Sequence, residues 1–243
     1  MKEQFARTQI VYGASSMEKL YSAKVAVFGV GGVGGYVAEA LARSGIGHLL
    51  LVDNDKVSVT NINRQIIALH STIGKPKVQV MKARCLDINP DIIIEEKECF
   101  FLPENSDSFD FNGYSYIVDA VDTVSAKIEL IRKAKEAGVP VISCMGAGNK
   151  TDPSKFMVAD ISKTTVCPLA RVMRRELKAR GIKDVKVLFS TESPVKKEEG
   201  TEKKGGGTAP GSTAFAPSVA GLLMAATVVN EIAGNGLSGQ DRQ

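Results

Sequence analysis

Lys24-Val25-Ala26-Val27-Phe28-Gly29-Val30-Gly31-Gly32-Val33-Gly34 is the stretch on which the fold turns. Lys24 to Phe28 is a short apolar run of β-forming residues, and Val33 to Ser44 follows it with Val37, Ala38, Leu41 and Ala42 at helical spacing. The order is therefore strand, glycine turn, helix. Gly29, Gly31 and Gly34 fit GxGxxG between them, with Gly32 as an additional small residue. In that context glycine lets the backbone approach a phosphate closely, and the free N–H groups and dipole of the helix N-terminus favour its negative charge. Asp53, at the end of the next apolar run, has the spacing at which an acidic side chain takes ribose hydroxyls. The glycines alone suit NAD and ATP equally, and a tight structural turn is the plain alternative.

The same alternation continues outward. His48 to Val52, Ile92 to Glu96, Tyr116 to Asp119 and Val139 to Cys144 read as strands, and Pro76 to Asn89 and Ser125 to Ala137 as helices. Strands alternating with helices predict an α/β fold, a Rossmann-like, doubly wound and mostly parallel sheet. After Phe156 the rhythm weakens into a C-terminal α+β extension: a strand Met157 to Asp160, a basic helix Leu169 to Arg180, and a strand Val185 to Ser190. One domain is expected, with a nucleotide core over about 1–150 and an extension over 151–192 and 213–234. Ser193 to Ser212, with four lysines and the run Gly205 to Gly207, has almost nothing apolar to pack and is expected to be a mobile linker.

Composition narrows the class. With 44% hydrophobic and 24% charged residues, the chain can bury one substantial core. Met1 to Arg7 has no apolar segment of the secretory kind, so a cytoplasmic protein is expected. Ala214 to Ala233 is apolar but broken by Pro217, Asn230 and Glu231, which predicts a packed helix rather than a membrane span. Cys85, Cys99, Cys144 and Cys167 form no CxxC pair, which argues for reduced, structural thiols rather than disulfides or structural zinc. The net charge of +4 singles out no partner, but Arg171, Arg174, Arg175, Lys178, Arg180, Lys183 and Lys186 cluster late in the chain.

Cations beside the glycine turn point to ATP. Arg64 and Lys77 follow the second strand, where a triphosphate polarised for attack at its α-phosphorus needs positive charge and a dehydrogenase does not. Asp119-Ala120-Val121-Asp122 follows a strand, which predicts carboxylates at the sheet edge where ligands of such folds sit and where Mg²⁺ can be held. The plain alternatives are a solvated loop for Arg64 and Lys77 and a helix N-cap for Asp122.

Together, GxGGVG, VDxDxVxxxNxNRQ, GxPK and DAxD resemble the E1-like adenylating superfamily that includes MoeB and ThiF, over roughly Phe5 to Met145. The resemblance implies that Asp53 binds ribose, that Asn61, Arg64, Gln65 and Lys77 surround the phosphates, that Asp55 belongs to the same nucleotide site, and that Asp122 coordinates magnesium. It also implies a homodimer in which Arg7 reaches the partner subunit's site.

The second half resembles one branch of that superfamily. Pro168-Leu169-Ala170-Arg171, Arg174-Arg175-Glu176-Leu177 and Gly181-Ile182, then Ser190-Thr191-Glu192-Ser193-Pro194, look like the tRNA threonylcarbamoyladenosine dehydratases. Cys167 departs from that pattern, which has an acidic residue before the proline. The resemblance implies adenylation of the threonylcarbamoyl carboxylate on an anticodon-loop adenosine, then ring closure. Arg171, Arg174, Arg175 and Lys178, at i, i+3, i+4 and i+7, share a helical face that can address an RNA backbone; a solvated face is the plain alternative. Two other readings stay open. One is activation of a sulfur-carrier protein, in which a cysteine desulfurase or sulfur acceptor would be a partner; the other is NAD binding without adenylation.

Overall fold

The computed structural model describes residues 2–195 and 210–234. The expected linker Ser193 to Ser212 therefore lies mostly outside the described residues. In chain order the elements are α1 (Ala6–Tyr12), α2 (Ala14–Ser22), β1 (Lys24–Phe28), α3 (Gly34–Arg43), β2 (His48–Val52), α4 (Lys77–Ile88), β3 (Ile93–Lys97) and β4 (Tyr116–Asp119). These are followed by α5 (Val124–Glu136), β5 (Val141–Cys144), β6 (Phe156–Asp160), α6 (Pro168–Ala179), β7 (Lys186–Ser190) and α7 (Ala216–Ala233).

The strands form one sheet in the order β3-β2-β1-β4-β5-β7-β6, parallel except for β6, which pairs antiparallel with β7 at the edge. Successive residues of β1 take opposite faces, as the period of a strand requires. Val25 and Val27 join the core with α3, α4 and α7, while Ala26 and Phe28 join the core with α5 and α6. Both faces are covered, which is the doubly wound arrangement expected from the alternation. Because the extension's β6 and β7 continue the same sheet, it shares the core instead of standing apart.

The apolar C-terminal helix is packed. Although α7 has the length and apolarity to cross a membrane, Ala220, Met224, Val228 and Val229 are buried in the core beside α3. At the other end of the chain, Phe5 is buried and Tyr12 Oη donates to Asn230 Oδ1 at 3.0 Å, so α1 and α2 are tied to α7.

β1 lies at the point where the strand order reverses. The next strand along the chain, β2, lies on one side of it and β4 on the other. In open α/β sheets the crevice beyond the carboxyl ends of the strands at such a point takes the ligand. Here the crevice floor is the chain leaving β1 at Gly29 and the chain leaving β4 at Ala120.

Candidate active site

A cleft of about 630 Å³ opens over this floor. Gly29 holds a positive φ of 86°, and a Cβ there would meet the Ala120 carbonyl oxygen at 2.6 Å. A Cβ on Gly34 would lie 1.8 Å from the Gly29 carbonyl oxygen. Only glycine lets the turn fold back this tightly while α3 starts directly beneath it. Gly29, Gly31 and Gly32 line the cleft, and Gly34 packs behind them at the first turn of α3.

The residues after β2 supply the far wall. Asp53 accepts the Val30 amide at 2.6 Å and the Asp55 amide at 2.8 Å, which binds the glycine turn to the end of β2. Lys77, at the start of α4, is buried with its Nζ 2.6 Å from Asp55 and 3.9 Å from Asp53. Burial pushes the Asp53 carboxyl above its ordinary value of 3.8, against the pull of Lys77 and the two amides. A carboxyl raised in the folded state favours folding below its unfolded pKa, and this contribution is lost as pH rises through the folded value. Both Asp53 oxygens accept a backbone amide, so Asp53→Asn, which keeps one acceptor and sets its NH2 against the other N–H, is expected to melt below the parent at neutral pH, with the gap widening as pH falls toward 3.8. Calorimetric melting across that range checks this; a gap of the opposite sign contradicts it.

Asn61 is buried and its Oδ1 accepts the Ser58 amide. Gln65 is also buried and lines the cleft, yet its Oε1 has no hydrogen-bond partner among the described residues. An unpaired buried amide oxygen costs about 1–3 kcal/mol, so Gln65 is suited to a ligand that completes its bonding. Arg64 is half-exposed, and its Nη1 donates to the Thr60 carbonyl at 2.9 Å and to Asn63 Oδ1 at 3.0 Å. Its remaining N–H groups donate to nothing among the described residues.

Asp122 lines the cleft from the opposite side and is exposed. Thr123, not Asp122, holds the N-cap position of α5, and no side-chain capping bond is made there. Among the described residues the carboxylate accepts only the Thr123 hydroxyl, at 3.3 Å, which leaves it available to a ligand. Arg64, Lys77 and Asp122, called from sequence as one rim, thus border a single cavity.

Two sequence expectations change in the structure. Asp119 does not reach the rim: it is fully buried and ion-paired to Lys127, so Asp122 alone presents a carboxylate from that segment. Arg174 is drawn inward, its Nη1 donating to the Thr164 carbonyl at 2.7 Å and to the Thr164 hydroxyl. It satisfies a chain reversal after the helical turn Ile161–Lys163, leaving Arg171, Arg175 and Lys178 as the exposed cations of that α6 face. Arg7, expected to serve the partner subunit's site, is exposed on α1 and does not line its own chain's cleft. It shares a helical face with Ile10 and Val11, which are 84% and 75% exposed.

Other lining residues carried no motif in the sequence. Phe100 and Phe101 close one end of the cleft, where Phe101 packs edge-on to Phe28 at 5.1 Å, and Pro217 of α7 approaches Gly32. Cys99 borders the cleft, whereas Cys144 and Cys167 are buried in the core. Burial pushes the Cys144 thiol up to about 12, so it is no thiolate nucleophile at neutral pH.

A nucleotide-sized cleft at the switch point, with cations and a carboxylate around a glycine turn, is the architecture of an adenylating α/β protein. The chain belongs to the ThiF family, whose profile matches residues 2–242. It is 47% identical over 242 residues to the tRNA threonylcarbamoyladenosine dehydratase of Bacillus subtilis, an alignment covering 96% of this chain and 95% of that one. Its fold matches the crystal structure of E. coli tRNA N6-threonylcarbamoyladenosine dehydratase, TcdA, in complex with ATP. That match has a TM-score of 0.87 and 34% identity, over 96% of this chain and 95% of the other. The E. coli protein in complex with AMP matches with a TM-score of 0.87 and 33% identity over the same shares.

Proposed function

We propose that this chain is a cytoplasmic tRNA threonylcarbamoyladenosine dehydratase that uses ATP to convert the modified adenosine of the anticodon loop to its cyclic form. The observation that carries the reading is the convergence of Arg64, Lys77 and Asp122 on one cleft above the glycine turn. The likeness to dehydratases over nearly the whole chain, including one solved with ATP, supports the substrate.

In this reading the triphosphate lies along the glycine turn, with Arg64 and Lys77 spreading charge away from the α-phosphorus and the side-chain N–H groups of Gln65 and Asn61 donating to its oxygens. Asp122 is the carboxylate that would hold Mg²⁺ together with phosphate oxygens, a donor set that suits this ion, which neutralises phosphate charge when bound. A carboxylate oxygen of the threonylcarbamoyl group attacks the α-phosphorus, the bond to the bridging oxygen breaks, and pyrophosphate leaves. The carbamoyl nitrogen or oxygen then attacks the activated carbonyl carbon, a proton leaves the carbamoyl nitrogen in either case, and AMP is expelled, carrying away one carboxylate oxygen. Water is thereby removed across the hydrolysis of ATP to AMP and pyrophosphate. The second step is intramolecular, so the protein needs only to hold the groups together and keep water out. No cysteine takes part, in keeping with the burial of Cys144 and Cys167.

In the proposed homodimer, the exposed face Arg7, Ile10 and Val11 of α1 meets the second subunit and delivers Arg7 to its cleft. The exposed cations of α6 contact RNA phosphates. Replacing Arg171, Arg175 and Lys178 together by Ala is expected to weaken tRNA binding and to lower the slope of log affinity against log salt by about 2–3, while leaving ATP affinity unchanged. Filter binding over a salt series checks this; an unchanged slope removes α6 from the RNA surface.

The test of the function itself is the product. Protein, ATP, Mg²⁺ and threonylcarbamoylated tRNA should yield a nucleoside lighter by one water, with AMP and pyrophosphate in equal amounts. If tRNA lacking the modification drives ATP cleavage equally well, the proposal is wrong.

A further inference from the structure

Beneath the cleft lies an ion pair for which the reaction above has no use. Asp119 ends β4 and Lys127 stands in the first turns of α5, and both side chains are fully buried. Lys127 Nζ donates to both Asp119 oxygens, at 3.2 and 3.1 Å, and to the Cys144 carbonyl at 2.6 Å. Ser143 donates its hydroxyl to Asp119 Oδ2. One more donor completes the set: the Val121 amide, 3.1 Å from Asp119 Oδ1. The network thus joins the ends of β4 and β5 to α5, and grips the backbone of the loop that carries Ala120 and Asp122.

That loop has little room to move. The Ala120 carbonyl already occupies the space that a Cβ on Gly29 would need, and Ala120, Val121 and Asp122 all line the cleft. A buried ion pair adds little stability over apolar residues of the same volume, whereas a fully satisfied polar network fixes a unique local geometry. Here the geometry fixed is that of one wall of the cleft.

We infer that Asp119 is a positioning residue for the nucleotide site: its side-chain acceptor, held by Ser143 and charge-balanced by Lys127, sets the Ala120–Asp122 loop against the glycine turn through the Val121 N–H. The inference rests on the nucleotide reading of the cleft proposed above. The Asp119 side chain does not touch the ligand.

Two variants without charge separate positioning from bulk stability. Lys127→Met with Asp119→Asn keeps an acceptor for the Val121 amide, whereas Lys127→Met with Asp119→Leu removes it. ATP affinity is measured by titration calorimetry, well below the melting temperature of each protein. The asparagine variant is expected to bind ATP within about threefold of the parent and the leucine variant about tenfold more weakly or worse, the scale of one lost hydrogen bond. Equal affinities in the two variants overturn the inference while leaving the nucleotide reading intact; a parent protein that binds no ATP overturns both. Should the leucine variant not fold, amide hydrogen exchange in the parent decides the matter. The Val121 N–H is expected to be protected as strongly as the amides of β4, and exchange at the rate of an open loop contradicts the inference.

Discussion

Arg64→Ala is expected to lower the ATP-dependent formation of the cyclic nucleoside by about a hundred- to a thousand-fold, the range for losing one preorganised group that meets charge developing in the transition state. One nitrogen of the guanidinium, Nη1, is already fixed by the Thr60 carbonyl and Asn63 Oδ1, and the other two have no partner among the described residues, in a side chain that lines the cleft. Its anchoring is a condition for strong electrostatic stabilisation, because no reorganisation is left for the moment of reaction. The loss should fall mainly on kcat, since charge accumulates on the phosphate oxygens as the α-phosphorus is attacked. Stability should change by less than about 1 kcal/mol, as the side chain is partly solvated and its bonds can be replaced by water. Steady-state kinetics beside a thermal melt separate the two; a loss confined to KM would make Arg64 a binding group only.

Gly34→Ala should fail for a different reason. Within a helix, alanine normally outperforms glycine by roughly 0.5–1 kcal/mol, because glycine loses more backbone freedom on folding. At this position the added methyl would lie 1.8 Å from the Gly29 carbonyl oxygen, and that oxygen is backbone in a turn already pressed against Ala120. The clash wins: a destabilisation of about 3 kcal/mol or more is expected, at roughly 2–4 °C of melting temperature per kcal/mol. Gly31→Ala is the matching control. Among the described residues its Cβ meets only Gln65 Nε2, at 3.6 Å, so this variant should fold normally and lose nucleotide affinity instead. If Gly34→Ala melts like the parent, the tight turn has been misread.

The contrast between these glycines shows where the sequence speaks plainly. Strands β1, β2 and β4 begin and end where the apolar runs predict, because each is a short β-forming segment bounded by glycine or aspartate. Periodicity also anticipated α3 to α6, with shifts of a residue or two at their ends. The cleft was legible because its residues come in compact motifs that follow β1, β2 and β4 along the chain. What stayed hidden depends on contacts between distant segments. Asp119 reads like a rim carboxylate until Lys127, eight residues on, is seen to fall in the buried stripe of α5 with Leu130, Ile131 and Ala134. That lysine on an apolar face was the available signal. Arg174 could be told from its exposed neighbours only once Thr164 was brought beside it. The aromatic cluster of Phe28, Phe101, Phe109 and Phe111 joins a strand to the segment 101–111, which holds no α-helix or strand.

The ATP cleft and the chemistry assigned to it meet in the fate of one oxygen atom. With heavy oxygen in the threonylcarbamoyl carboxylate, mass spectrometry of the released nucleotide should find one labelled oxygen in AMP, because in the proposed route the carboxylate bonds to the α-phosphorus before the ring closes. Label in inorganic phosphate with ADP as the other product, or unlabelled AMP, would contradict attack at that phosphorus and with it the role given to Arg64, Lys77 and Asp122.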